Sequence, residues 1–420
     1  MHSRTSYILL NKKAQKILKR INKNLSKEDI FTQNKELIDQ LQSHHIIIPK
    51  GKRLHIKFHS PDTIAVWYHI TNACQLRCSY CYVCKDSHSM SDELIEKSIN
   101  SIFLQASKDK KKIVSIKFAG GEPSLVFDKI LKAHNLAKEA QKRYKIKYKP
   151  SILSNGVLLD NAKIDFFIKE GFVLMISLDG VKSVHDKQRI FSNGRGSYDV
   201  VMQNIDKCIS KGLYPFILIT ITNQSVDKLY QLVEKLLEKK LLFAFSFFRE
   251  TEAVQTKTVR NKIKYDDQKF IKGLLRAFKV IELKLPDQDF TNILGDRAKL
   301  SNVRRSVCEA GTSYFLLSDY GKISKCQMLL NEPITDIADP DFLKKLKDKT
   351  ISISNPSVNK KQKCKNCIWK YQCCGGCPLL ARSYYGQEDR PSPFCNIYKA
   401  IFPEILRLDA LRAIKYYKEN

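Results

Sequence analysis

The stretch Thr71 to Tyr82, TNACQLRCSYCY, places Cys74, Cys78 and Cys81 with three and then two residues between them. A single tight loop can therefore aim three thiols at one metal site. Structural zinc is normally enclosed by four protein ligands and an iron-sulfur cubane by four cysteines, so a three-thiol loop leaves one metal corner free. A free corner can take a substrate or a cofactor. The alternative is a zinc ribbon that uses two of these thiols and leaves the third as a bystander. A β-like run, Ile64 to Ile70, feeds directly into the loop, and Tyr80 stands just before the third cysteine, where its ring could flank a bound base.

Thirteen cysteines in a chain of 420 residues could suggest a disulfide framework. Their clustering at metal-ligand spacings, together with the length and the lack of a signal-like amino terminus, argues instead for reduced thiols and a cytoplasmic protein. No uninterrupted apolar run approaches the roughly 18 residues of a membrane span, so no membrane partner is expected. The formal charge of +30 would suit nucleic acid, an anionic surface or an acidic peptide. The lysines are spread along the chain, as in KDKKKI (108–113) and VNKKQKCK (358–365), and charge alone does not choose among these.

Residues 1–60 read as a small appended module. Tyr7 to Leu10 suggests a short strand, and Ala14, Ile17, Leu18 and Ile21 recur at helical spacing. Ser26 with Asp29 forms a capping-box pattern, Leu37, Ile38 and Leu41 mark a second helix, and Ile46 to Ile48 suggests a closing strand. This is a winged-helix-like order. From Ile64 onward strands alternate with helices: Ile64 to Ile70, Ile113 to Phe118, Ser151 to Leu153, Val173 to Leu178, Phe216 to Thr222 and Leu242 to Phe247, with helical segments such as Asp92 to Leu104, Tyr198 to Ile209 and Ser225 to Leu237 between them. Six such units predict an α/β chain whose parallel sheet closes as a partial (β/α)6 barrel, with function at the carboxyl ends of the strands. Residues 61–250 form this barrel, residues 251–305 a bridge with one amphipathic helix near Phe270 to Leu283, and residues 306–420 a cysteine-rich end with a terminal helix.

The unusual residues fall where the barrel predicts. Gly120-Gly121-Glu122-Pro123 follows the second strand, Ser154-Asn155-Gly156 ends the third, and Ser177-Leu178-Asp179-Gly180 ends the fourth, with His185 and Arg189 beyond. Taken with the cysteine loop, these residues closely resemble the radical S-adenosylmethionine (SAM) enzymes. That resemblance implies a [4Fe-4S] cluster on Cys74, Cys78 and Cys81 whose free iron is chelated by SAM, with SAM contacts from Tyr80, Gly120, Gly121, Glu122, Pro123, Asn155, Ser177 and Arg189. An arginine fork suits the SAM carboxylate.

The carboxyl-terminal run Cys308, Cys326, Cys364, Cys367, Cys373, Cys377 and Cys395 resembles the SPASM extension of the same family, which holds two auxiliary [4Fe-4S] clusters and raises the implied total to three. The resemblance assigns Cys364, Cys367, Cys373 and Cys395 to the outer cluster and Cys308, Cys326 and Cys377 to the inner one. Members with a fully ligated inner cluster carry a further cysteine six residues after the first; here that position is Tyr314. Cys374 is its rival as fourth ligand, Cys208 reads as core, and Cys84 has no assignment.

The chemistry implied is generation of a 5′-deoxyadenosyl radical, hydrogen-atom abstraction from a peptide, and passage of the remaining electron to an auxiliary cluster, with a small electron-transfer protein as reductant. The resemblance extends to ribosomal-peptide maturases, whose amino-terminal module grips a leader peptide by adding it as a strand. A merely structural module is the alternative. Sulfatase-maturing enzymes of the group have an aspartate base immediately after the second auxiliary cysteine, whereas Cys326 here is followed by Gln327. The expectation is therefore oxidative modification or crosslinking of a ribosomally made precursor peptide, with sulfatase maturation as the enzymatic alternative and a metal-binding nucleic-acid protein as the alternative of another class. Nucleic acid is not the expected partner. The sequence leaves the catalytic base, target residue and bond type open.

Overall fold

A computed structural model describes residues 10, 12–22, 32–43, 46–47, 58, 61–250 and 265–416. The chain divides into two compact units, Met1–His59 with Ser301–Val303, and the remainder. In the first, α1 (Lys12–Asn22) and α2 (Lys35–Ser43) bury Ile17 and Ile38 with Ile21, Leu37 and Ile47 packed around them. Both helices lie on the apolar repeats seen in the sequence. Ile46 and Ile47 are bends rather than strand, and Tyr7, Ser26, Asp29 and Ile48 lie outside the described residues.

The large unit is built on one nine-stranded sheet of order β6-β5-β4-β3-β2-β1-β7-β8-β9. The first six strands are β1 (Thr63–Thr71), β2 (Ile113–Gly120), β3 (Lys147–Ser154), β4 (Val173–Ser177), β5 (Phe216–Ile221) and β6 (Phe243–Phe247). They pair in parallel and in chain order, each expected strand falling within about two residues of its observed place except β3, which starts earlier. The helices between them are α3 (Asp92–Lys108), α4 (Phe127–Tyr144), α5 (Asn161–Lys169), α6 (Lys182–Gln188), α7 (Tyr198–Ser210) and α8 (Leu229–Glu238). Several start where a short polar side chain can accept the first free amides: Ser91 caps α3 and Asp160 caps α5.

Alternation along the strands separates two faces. Ile64, Val66, Tyr68 and Ile70 of β1, with Val114, Ile116 and Phe118 of β2, join the buried core with helix residues Ile95, Ile99, Ile102, Ile130 and Ala137. Ala65 and Trp67, and Ser115 and Lys117, take the opposite, inner face. Such a sheet with helices on its outer side is the partial barrel that the alternating pattern predicts.

The sheet does not end at β1. Strand β7 (Tyr314–Leu317) pairs parallel to β1, and β8 (Lys322–Ser324) and β9 (Thr335–Asp336) follow antiparallel. The cysteine-rich end is thereby stitched to the strand that feeds the first cysteine loop. Helix α9 (Asp267–Lys284) packs on α8, and the chain finishes in α10 (Phe342–Lys347), α11 (Pro378–Tyr385) and α12 (Cys395–Tyr416), the last against α9. Cys208 is fully buried on α7, in the core as its helical position predicts.

Candidate active site and cluster cysteines

The loop carrying Cys74, Cys78 and Cys81 is held chiefly by its backbone. Arg77 N–H donates to Ile190 O at 2.7 Å and Ser79 N–H to Gln188 O at 2.9 Å, while Cys81 N–H closes a turn on Cys78 O at 3.1 Å. From below, Gly121 N–H donates to Thr71 O and Glu122 N–H to Ala73 O, both at 2.7 Å. That approach needs both glycines. A Cβ on Gly120 would stand 2.3 Å from Thr71 O, and one on Gly121 would stand 2.2 Å from Ala73 O. Gly121→Ala is accordingly expected to displace the loop, and a shift of about 1 Å there should cost roughly a hundredfold in SAM cleavage, read as 5′-deoxyadenosine formed.

Glu122 is fully buried, and its carboxylate accepts from Ser124 N–H (3.1 Å), Ser124 Oγ (2.6 Å), Ser154 Oγ (2.8 Å) and Asn155 N–H (2.6 Å). Burial raises its pKa, and the four donors offset this only in part. The carboxylate thus ties the end of β2 to the end of β3. Asn155 in turn exchanges amide contacts with Gln75 and lies 3.8 Å from Cys74 Sγ, linking β3 to the cysteine loop.

A second network closes the other side. Tyr80 donates to Asp179 and accepts from Arg189 Nη1 at 2.7 Å, and Arg189 stands 3.6 Å from the same carboxylate. Asp179 N–H donates to His185 Nδ1 at 3.3 Å, which makes Nε2 the protonated nitrogen, donating to Ser197 Oγ at 3.0 Å. Burial, with Arg189 beside it, lowers the His185 pKa to about 3, so this ring is neutral. Ser197 then donates to Arg189 O at 2.8 Å and completes the ring of contacts. Arg189 is buried, yet its Nε has no acceptor. Ser177 closes β4 on the inner face, half-buried.

Farther along the chain, Cys364, Cys367, Cys373 and Cys395 line one small cavity with Trp369 and Tyr398. Cys377 does not line it and instead packs with Cys326. Burial first, then the mutual influence of Cys308, Cys326 and Cys377, raises the Cys326 pKa to about 12 and also lifts Cys308, which groups these three. Tyr314, the first residue of β7, donates to Gln327 Oε1, and Cys326 Sγ lies 3.6 Å from the same oxygen. The two positions singled out in the sequence are therefore direct partners beside one thiol. Cys374 donates to Arg304 O and Tyr371 O in a pocket of Val307 and Val358, and Cys84 is exposed.

Among the described residues no three His, Cys, Asp or Glu side chains converge as a single bound ion requires. A cubane distributes its thiolates over separate irons and does not need that convergence. Burial disfavours the thiolate at Cys74 and Cys78, the latter raised to about 11, so a cluster loaded on these thiols would have to release protons. Lys361 is buried beside Cys364 and Cys373 and donates to Gly376 O at 3.4 Å. Sequence reasoning passed over it as one lysine of a basic run.

Residues 68–236 match the radical SAM superfamily. A cysteine-type anaerobic sulfatase-maturating enzyme of Clostridium novyi is 25% identical over 343 residues, 78% of this chain and 91% of that protein. A serine-type anaerobic sulfatase-maturating enzyme of Klebsiella aerogenes is 24% identical over 354 residues, 80% of this chain and 83% of its own length. Among solved structures, anSMEcpe with bound AdoMet and the Cp18Cys peptide superposes with a TM-score of 0.68 at 20% identity, covering 84% of this chain and 99% of that one. Streptococcus suis SuiB bound to precursor peptide SuiA gives 0.53 at 17% identity, covering 92% and 93%.

Proposed function

Since this chain is a radical SAM superfamily enzyme, we propose that it oxidises a residue within a peptide or protein substrate. The observation that carries the reading is the placement of Cys74, Cys78 and Cys81 on a loop pinned by Gly120 and Gly121, on the strand that β7 joins to a second group of thiols. When bound, a [4Fe-4S] cluster with SAM supplies a 5′-deoxyadenosyl radical, the hard part of the chemistry.

The chain's own residues bind and orient. Cys74, Cys78 and Cys81 hold the cluster; Tyr80, Asn155, Ser177 and the Gly120 to Pro123 segment position SAM. Arg189, whose Nε lacks an acceptor, faces the SAM carboxylate. Glu122 acts as an internal brace through its four donors, so the Gly-Gly-Glu-Pro contact with SAM falls to the backbone. The domain division of the sequence reading is kept, with the inner auxiliary cluster on Cys308, Cys326 and Cys377 and the outer on Cys364, Cys367, Cys373 and Cys395. A small electron-transfer protein is the proposed reductant.

Relatives named as sulfatase-maturating enzymes align over most of the chain, so oxidation of a cysteine or serine to an aldehyde is the reading that similarity favours over peptide crosslinking. Gln327 favours the second reading. An amide is no general base, and its oxygen is already occupied by Tyr314. Anaerobically reconstituted protein, reductant and SAM, offered a sulfatase-derived peptide with cysteine or serine at the target, should release an aldehyde-bearing peptide detectable by mass spectrometry. Gln327→Asp should raise that yield. A leader-bearing precursor that becomes crosslinked, with no aldehyde from either sulfatase peptide, would decide for crosslinking, and deletion of residues 1–55 should then weaken its turnover while leaving peptide-free SAM cleavage intact.

A further inference from the structure

Three buried cations among the described residues are held by carboxylates or carbonyls. Arg249 pairs with Asp296 at 2.5 Å and Arg412 with Asp409 at 2.6 Å, while Lys325 donates to the carbonyls of Asp348, Ile351 and Ile353. On the inner face of the sheet half-buried Lys117 has no such partner among the described residues. Lys117 of β2 lies opposite Trp67 of β1 in register, its Nζ 5.8 Å from the centre of the indole ring. Among the described residues neither a carboxylate nor a carbonyl lies within hydrogen-bonding distance of that ammonium. The Trp67 Nε1–H is buried and also has no acceptor.

Exposed Arg297 adds a further positive charge that lowers the Lys117 pKa after burial has done so, to about 8, and also acts on Cys308, Cys326 and Tyr314. It too has no carboxylate in ion-pair range among the described residues. Glu309, also near Cys308, hydrogen-bonds Thr312 rather than either cation. The unmatched indole N–H and the half-buried Lys117 ammonium thus lie together on the inner face, and exposed Arg297 adds positive charge on the side of the inner auxiliary thiols. A buried N–H without a partner costs free energy that an arriving acceptor can recover, and a carboxylate would also match the positive charge of Lys117 and Arg297.

The location gives this a use. Lys117 is three residues before Gly120, and Trp67 pairs on its other side with Leu316, two residues beyond Tyr314. Substrate must reach the inner face between these segments if it is to meet both the radical chemistry and the auxiliary site. We propose that Lys117 and Trp67, supplemented by Arg297, form a carboxylate-recognition pocket that selects acidic peptide segments next to the residue being oxidised. This rests on the peptide-modifying reading above and specifies its substrate class. The carboxylate comes from an Asp or Glu side chain or from a peptide carboxyl terminus, chemically the same ligand.

The test is titration calorimetry on the anaerobically reconstituted full chain, with saturating SAM, using decapeptides identical except at one position beside a central cysteine. Three are capped at both ends and carry Glu, Gln or Lys there; a fourth carries Gln and a free terminal carboxylate. The capped Glu peptide or the free-acid peptide should bind roughly tenfold tighter than capped Gln, a difference one charge-assisted contact can supply, with Lys weakest. The stronger of the two acids identifies the source of the carboxylate.

Lys117→Met should erase the preference, Lys117→Glu should reverse it toward the Lys peptide, and Trp67→Phe should narrow it while keeping the ring. Equal affinities, no binding by any peptide, a preference unmoved by Lys117→Met, or a preference that exists only without SAM would each overturn the proposal. SAM cleavage and peptide oxidation, followed in parallel on the unaltered chain, keep the two readings apart. Active enzyme that is indifferent to acid removes the pocket and keeps the activity, whereas an acid preference without SAM cleavage does the opposite.

Discussion

Replacing Cys74, Cys78 and Cys81 together by alanine is expected to abolish reductive cleavage of SAM while iron is retained at the clusters proposed for the carboxyl-terminal cysteines. The loop's path does not depend on those thiols, since Arg77 and Ser79 anchor it through backbone amides to Ile190 and Gln188. The thiol groups of the other end are set by separate elements, four around the cavity beside α12 and three beside β7 and β8. Loss of the first cluster should therefore be local. The measurement is 5′-deoxyadenosine formed per chain alongside iron and sulfide per chain. Cleavage persisting in the triple variant would remove the assignment of the loop, and loss of all iron would show that the three sites load as one.

Asp296→Ala is expected to destabilise the large unit by about 3–5 kcal/mol, the range for removing one member of a buried ion pair. Asp296 accepts from Arg249 Nη2 at 2.5 Å, from Phe247 N–H at 3.0 Å and from Tyr398 Oη at 2.7 Å, so one carboxylate joins the end of β6 to α12. Both side chains are nearly excluded from solvent, 7% and 1% exposed, and little screening is available. Without the carboxylate the Arg249 guanidinium stays buried and unpaired. The double variant Arg249→Met with Asp296→Leu should recover much of the loss, because two apolar groups leave no stranded charge. Denaturant midpoints of the reconstituted proteins provide the check. A double variant no more stable than Asp296→Ala would assign the cost to the contacts with Phe247 and Tyr398 instead.

How far the chain could be read before it was folded depended on whether the information was local. Strands β1 to β6 were legible because β-branched and aromatic residues alternate or run together between helical repeats, and burial follows that pattern directly. The three-thiol loop and the Gly120-Gly121 step were legible for the same reason, since spacing within a few residues limits what the backbone can do. Strand β7 was not. Tyr314 to Leu317 is short, and its place beside β1 comes from pairing with residues about 250 positions earlier, which no local pattern contains.

The meeting of Tyr314 with Gln327 is of the same kind. Tyr314 stood out as the sixth residue after Cys308 and Gln327 as the one after Cys326, but only the turn from β7 into β8 brings the phenol to the amide. Lys117 shows the division most plainly. Alternation on β2 places it on the face away from Val114, Ile116 and Phe118, which the sequence by itself determines. That this face carries an unmatched indole N–H, with a second cation acting on Lys117 and, among the described residues, no carboxylate to meet them, was decided by the tertiary structure, because partners come from segments remote in sequence.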